Sequence, residues 1–281
     1  MKKIFLIAFA ALGLVSLSSC NKFLEEQKPQ GTVDNELLQD PKYIDNLVVS
    51  AYAVWISAED INSSFSMWNF DVRSDDAYKG GNGTEDGDVF HALEVSQGIM
   101  TTNWNISDMW KRLYNCISRA NAALALLGTV DKDTYPLRDE RIAEMRFLRA
   151  HGPFLLKQLY KRIPFAINEN LSPEEYNNLS NTTYNNDQGW QVIADDFKFA
   201  FDNLPNYQDD KGRPTRAAAA AYLAKTYLYK AYHQDDETSH QVTSINREDL
   251  EKVLTYTDPI IMADGGYALE VDFHNNFRPE P

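Results

Sequence analysis

Two adjacent carboxylate pairs, Asp75-Asp76 and Asp195-Asp196, are the residues whose types could support acid–base chemistry, because glycoside cleavage needs two carboxyl groups flanking one bond. Acids number 41 against 27 lysines and arginines, so adjacency alone carries little weight. Asp195-Asp196 is read more simply as the solvated face of a helix. Asn82, Thr84 and Asp86 fall at positions one, three and five of a calcium loop with Gly87 at six, but position twelve is Leu93 and Glu94 comes one residue late. An EF-hand is excluded. Irregular calcium binding by Glu85, Asp86 and Asp88 is the one cofactor left open. His91, His151, His233, His240 and His274 lack metal-ligand spacing, and His151 reads as a packed helix residue. Cys116 reads as a small buried hydrophobe. The zincin, nucleophile-elbow, C-x-x-C and Walker patterns are missing, so no enzymatic activity is expected.

The amino terminus carries its own chemistry. Lys2 and Lys3 precede an apolar run from Ile4 to Val15, and small residues follow before Cys20, which reads as an export signal. Leu17-Ser18-Ser19-Cys20 resembles the bacterial lipobox, in which the cysteine thiol takes a diacylglycerol and becomes the first mature residue. The acyl chains would then anchor the protein without a spanning helix, each buried methylene contributing about 0.8 kcal/mol. Residues 1–19 are therefore expected to be a lipoprotein signal peptide and residues 20–36 the lipidated cysteine and a tether. Losing residues 1–19 removes two lysines and no acids, which takes the net charge from −14 to −16. A surface of that sign repels phosphate backbones, so nucleic-acid binding is not expected.

The remaining residues, 37–281, must position any site. Asp40-Pro41 reads as N-cap and first turn of a helix bearing Ile44, Leu47, Val48, Ala51, Tyr52 and Trp55 on one face. Apolar residues at steps of three and four predict further helices over 106–128, with Gly128 as terminator, and over 138–160, with a kink at Pro153. Others are predicted over 187–204 before Pro205, over 215–233 with five consecutive alanines, and over 247–262 with a break near Pro259. The last has no visible partner. Tyr267 to Val271 could form a short strand, and Glu59 to Asn105 is the least helical stretch. The fold class is mainly all-α. Small residues at helix contacts with aromatics nearby resemble an irregular tetratricopeptide-like array of helical hairpins with long loops.

An ordered set of motifs gives a more specific reading. Cys20-Asn21-Lys22-Phe23-Leu24-Glu25-Glu26 is followed by Trp110, Tyr114-Asn115-Cys116-Ile117 and Ala120-Asn121, then by Glu144-Met145-Arg146-Phe147-Leu148-Arg149-Ala150. Leu159-Tyr160, Ile163-Pro164-Phe165, Trp190 to Phe197, the alanine helix from Arg216 to Tyr229, and Gly266-Tyr267-Ala268-Leu269 complete it. In this order they resemble the SusD/RagB family, the surface-exposed glycan-binding lipoproteins of Bacteroidota. Family members are typically much longer, so residues 37–281 are expected to be an N-terminal helical domain whose C-terminal half is missing.

The resemblance implies a lipid-anchored outer-membrane protein, exposed at the cell surface and held in lipid by acylated Cys20. It implies capture of oligosaccharide or polysaccharide for import through a partner TonB-dependent transporter of the SusC type. A peptide-binding, RagB-like lipoprotein is the alternative, and a surface glycosidase a more distant one. A saccharide site needs flat rings for the C–H faces of sugars, with amides, carboxylates and guanidinium groups for their hydroxyls. Trp68, Asp71, Arg73, Asp75, Asp76, Tyr78, Lys79 and Trp104 supply these, with Trp104 the foremost candidate. Asp71 and Arg73 could equally form a structural ion pair, and either tryptophan could pack beneath the loop.

Overall fold

The fold is given by a computed structural model that describes residues 40–56, 71–234, 241–258 and 267–278. Cys20, Trp68, the signal and the tether lie outside these residues. Helix α1 spans Pro41–Ile56 and starts as its sequence predicts, with the Lys42 amide donating to Asp40 Oδ1 at 2.9 Å. The short α2 (Asp88–Glu94) interrupts the stretch expected to be irregular. Next come α3 (Trp104–Thr129), α4 (Arg138–Tyr160), α5 (Pro173–Asn177), α6 (Asn186–Asn203), α7 (Arg216–Ala231) and α8 (Arg247–Thr257). Gly128 does not end α3. The helix runs through it and stops at Val130, which is extended, so no left-handed cap is used. Helix α4 runs unbroken through Pro153.

Two corrections concern strands. The fifth predicted helix stops at Ala231, and the chain continues as β1 (Tyr232–Gln234), antiparallel to β2 (Val242–Ile245). Tyr267 to Val271 is not a strand; a 3₁₀ turn at Phe273–Phe277 follows it. Helix α8, for which the sequence shows no partner, packs on α7. Lys230 of α7 joins Asp249 of α8 at 2.8 Å, and Lys252 closes on the same carboxylate at 2.9 Å.

The array follows chain order among the long helices, α1 on α3, α3 on α4, α4 on α6, α6 on α7 and α7 on α8. Each amphipathic helix thus covers its apolar face with the next, which is the logic of stacked hairpins. Small residues set the spacing. Ala194, Ala200, Ala219 and Ala220 are fully buried where α6 and α7 meet. At the α3–α4 crossing Gly152 has no substitute, because a Cβ there would stand 2.6 Å from Ile117 Cγ1 and 3.4 Å from the Leu113 carbonyl. Gly152→Ala is therefore expected to destabilise the protein by about 1–3 kcal/mol, the usual range for overpacking. Thermal melts of the variant and of Gly152→Ala/Ile117→Ala check this, the second change restoring part of the loss. An unchanged melting temperature for Gly152→Ala would show that the helices separate freely.

Buried ions tie the same elements together. Glu144 on α4, fully buried, accepts from Arg141 Nη1 at 2.6 Å, Arg213 Nη1 at 2.8 Å, Tyr52 OH at 2.7 Å and Gln208 Nε2 at 3.2 Å. Burial, with the adjacent Glu144 charge, pushes the Tyr52 hydroxyl far above its ordinary range. Asp196, expected on a solvated face, is instead 5% exposed. Its two oxygens accept from Arg149 at 2.7 and 2.8 Å, and Arg146 adds a third contact at 2.6 Å. Its neighbour Asp195 is exposed as expected. Cys116 is fully buried, its sulfur 3.8 Å from the Val54 carbonyl, in keeping with an apolar setting.

Candidate functional site

The sequence-derived residues divide by what holds them. Tyr78 is 81% exposed and Trp104, at the start of α3, is 49% exposed with its ring edge-on to Phe90 at 5.9 Å. Asp71 works through its carbonyl, which accepts from the Ala77 amide and the Ser74 hydroxyl. Asp76 accepts from the Ser74 hydroxyl at 3.1 Å, and Asp75 sits at a positive φ of 66° in the same turn. No ion pair joins Asp71 to Arg73 among the described residues. Lys79 is engaged by its own loop. Its ammonium donates to the Gly83 carbonyl at 2.6 Å and to the Asp86 carbonyl, and its amide to Glu94 at 3.4 Å. Asp86 in turn accepts from the Asn82 amide, an approach that needs Gly81, where a Cβ would lie 2.5 Å from Asp86 Oδ2. Lys79 and the Asn82 amide thus brace the loop that carries Glu85, Asp86 and Asp88.

Arg73 has a different environment. It borders two hollows that also share Leu159. The smaller, of about 200 Å³, is mostly apolar, walled by Leu93, Ile99, Ile106 and Tyr160. Burial pushes the Tyr160 hydroxyl up to about 12 while it donates to the Ile106 carbonyl at 2.6 Å. Trp104 lies two residues before Ile106 at this end.

The larger hollow is a cleft of about 560 Å³ where the carboxyl end of α4, the amino end of α6 and the carboxyl end of α7 converge with β1. Its aromatic wall is built by packing: Tyr229 stacks on buried Trp190 at 5.1 Å with the rings 20° apart, leaving Tyr229 and Tyr232 each 42% exposed. Gln158, Asn186 and Gln234 bring amides to the lining. Asn185 caps α6 by accepting the Gln188 amide at 2.8 Å, which fixes the turn that presents Asn186. Lys157, nearly buried, donates to Asn186 Oδ1 at 3.0 Å and to the Lys161 carbonyl at 3.1 Å, and lies 5.0 Å from the centre of the Trp190 ring. Lys161 holds a positive φ of 55°, a conformation a side-chain-bearing residue adopts only when its surroundings impose it. Rings, amides and cations on one concave wall can stack on sugar faces and pair hydroxyls.

Sequence reasoning found only Arg73 of this cleft. Two signals were available: Lys157 and Lys161 stand four apart, and Lys225, Tyr229 and Tyr232 recur at helical spacing on a face where a core stripe was not required. Neither says that the two helix ends meet.

Comparison with known proteins agrees with the motifs. Residues 22–228 match the profile of a SusD-like family described as starch-binding and associating with the outer membrane. The chain belongs to the SusD-like family. Among its relatives is SusD-like protein P25 of Formosa agariphila, 25% identical over 223 residues, covering 76% of this chain and 41% of that protein. A laminarin-binding SusD-like protein of solved structure superposes with a TM-score of 0.62 at 23% identity, over 82% of this chain and 46% of that one. A crystal structure with a xylogluco-oligosaccharide gives 0.61 at 22% identity, over 84% of this chain and 43% of that one. The SusD-like chain thus spans less than half the length of these relatives, and at such identities the structural likeness shows the fold.

Proposed function

We propose that this chain captures oligosaccharide at the cell surface, along the groove formed by the two hollows that meet at Arg73, and passes it on without bond chemistry. The observation that carries this reading is the cleft itself, in which Tyr229 and Tyr232 present exposed ring surface beside three amides and a rim of cations. Membership in a family described as starch-binding supports it, as do fold neighbours that bind laminarin and a xylogluco-oligosaccharide. Trp104 and Tyr78 are proposed as outlying contacts beyond the smaller hollow. Acylation of Cys20 would hold the protein at the outer membrane, and a TonB-dependent transporter would receive the glycan. Individual sugar contacts are weak, so repeated binding along one polymer would supply the retention.

Affinity electrophoresis in gels containing laminarin, xyloglucan or an acidic polysaccharide tests the reading. At least one polymer should retard the full chain. Tyr229→Ala/Tyr232→Ala should weaken that retardation about tenfold or more, since each ring is worth roughly 0.5–1.5 kcal/mol beyond its buried area. Retardation unaffected by the double variant would move the site away from the cleft.

A further inference from the structure

The cleft wall reverses the charge of the molecule around it. The chain carries a net charge of −14, yet Arg73, Lys157, Lys161 and Lys225 all border this one hollow, and among the described residues no aspartate or glutamate lines it. Asp187, which follows Asn186, accepts from His233 Nδ1 at 2.6 Å, and Asp235, which follows Gln234, lies outside the described residues. Arg73 and Lys225 are exposed and line the cavity, the Lys225 ammonium lying 5.8 Å from the centre of the Phe154 ring, while Lys157 is fixed beneath by Asn186 and the Lys161 carbonyl. The field of this cluster is felt by its neighbours: Lys225 helps to hold the His151 ring neutral, and Arg73 opposes the rise of the Tyr160 hydroxyl. A concave wall of one sign with low-dielectric sides concentrates ligands of the opposite sign. Aromatic rings behind the cations add the requirement for a flat C–H face.

We infer that the ligand of this cleft is an anionic saccharide, a sugar bearing carboxylate or sulfate, and that Arg73 and Lys225 select it over neutral glycans. This rests on the glycan-capture reading and names the chemical class it takes. The probes are hexagalacturonate and its fully methyl-esterified form, which share a backbone and differ in charge, together with a sulfated galactan oligosaccharide and its desulfated form. Calorimetry with the full chain at low ionic strength should show at least one anionic probe binding about tenfold or more tighter than its neutral counterpart. The preferred pair identifies carboxylate or sulfate as the group recognised. The preference should shrink as salt is raised and disappear in Arg73→Gln/Lys225→Gln, while Lys225→Arg keeps it. Equal affinity for the charged and neutral members of both pairs would overturn the inference while leaving glycan capture standing, as would a preference that survives in the double glutamine variant. Absence of binding to any saccharide, the neutral forms and laminarin included, would overturn the capture reading and the inference with it.

Discussion

Glu144→Leu is expected to destabilise the protein by about 3–5 kcal/mol, the cost of removing one partner from a buried ionic cluster. The carboxylate sits at the junction of α1, α4 and the 204–215 connection, and it receives Tyr52, Arg141, Arg213 and Gln208 together. Leucine fills comparable volume, so the loss arises from the guanidinium groups left without their charge partner and not from a cavity. Arg141 retains Glu140 at 2.6 Å and Arg213 retains Asp210 at 3.4 Å, but both of those acids lie nearer to solvent. Against a total stability of about 5–15 kcal/mol, such a loss would lower the melting temperature by roughly 10 °C. Urea denaturation of the wild type, Glu144→Leu and Glu144→Leu/Arg141→Met/Arg213→Met checks the cause. Replacing the whole cluster by apolar residues should recover much of the stability that the single change removes. A single-variant loss below about 1 kcal/mol would mean that the cluster is solvated in solution.

Acidification should reveal a second buried group. His151 is enclosed by Trp55 at 4.7 Å and Tyr222 at 4.6 Å between ring centres. Burial, aided by the nearby Lys225 charge, pushes its imidazole down from 6.5 to about 4. The folded protein therefore holds the ring neutral over a pH range in which the unfolded chain already binds a proton. Stability from this group is complete above pH 6.5 and declines as the pH falls towards 4. About 2 kcal/mol should be gone by pH 5 and about 3 kcal/mol below pH 4, at 1.36 kcal/mol for each tenfold change in proton affinity. Denaturant melts of the wild type and of His151→Phe at pH 7, 5 and 4 isolate the contribution, because carboxylates titrate in both. The wild type should lose more than the variant by these amounts. Parallel curves would show that water or protons reach the ring.

Much of the array was legible in the sequence because each long helix buries one face, and burial of one face writes a period of three to four into the apolar residues. Arg138–Tyr160 follows its pattern to the residue, and Pro41–Ile56 starts where Asp40-Pro41 places it. Features that depend on distant partners were not legible. Asp196 looks like a surface acid until Arg149, 47 residues earlier, is placed against it. Gly128 looks like a stop signal, yet α3 ends where the chain turns extended at Val130, without the left-handed conformation that would demand glycine. The cleft shows the same limit. Its walls come from the ends of three helices, and no local pattern announces that Lys161, Asn186 and Tyr229 face one hollow. Arg73 was picked out for its place in a polar, aromatic stretch, and the fold shows it bordering a cleft built by helices far from that stretch.

The most direct test of glycan capture in this groove is a crystal structure of the chain soaked with whichever hexasaccharide binds it most tightly. Sugar density should occupy the cleft, with a ring against Tyr229 or Tyr232 and an anionic or hydroxyl group within hydrogen-bond reach of Arg73 or Lys225. Density confined to the Tyr78 and Trp104 face, with the cleft empty of sugar, would contradict the account.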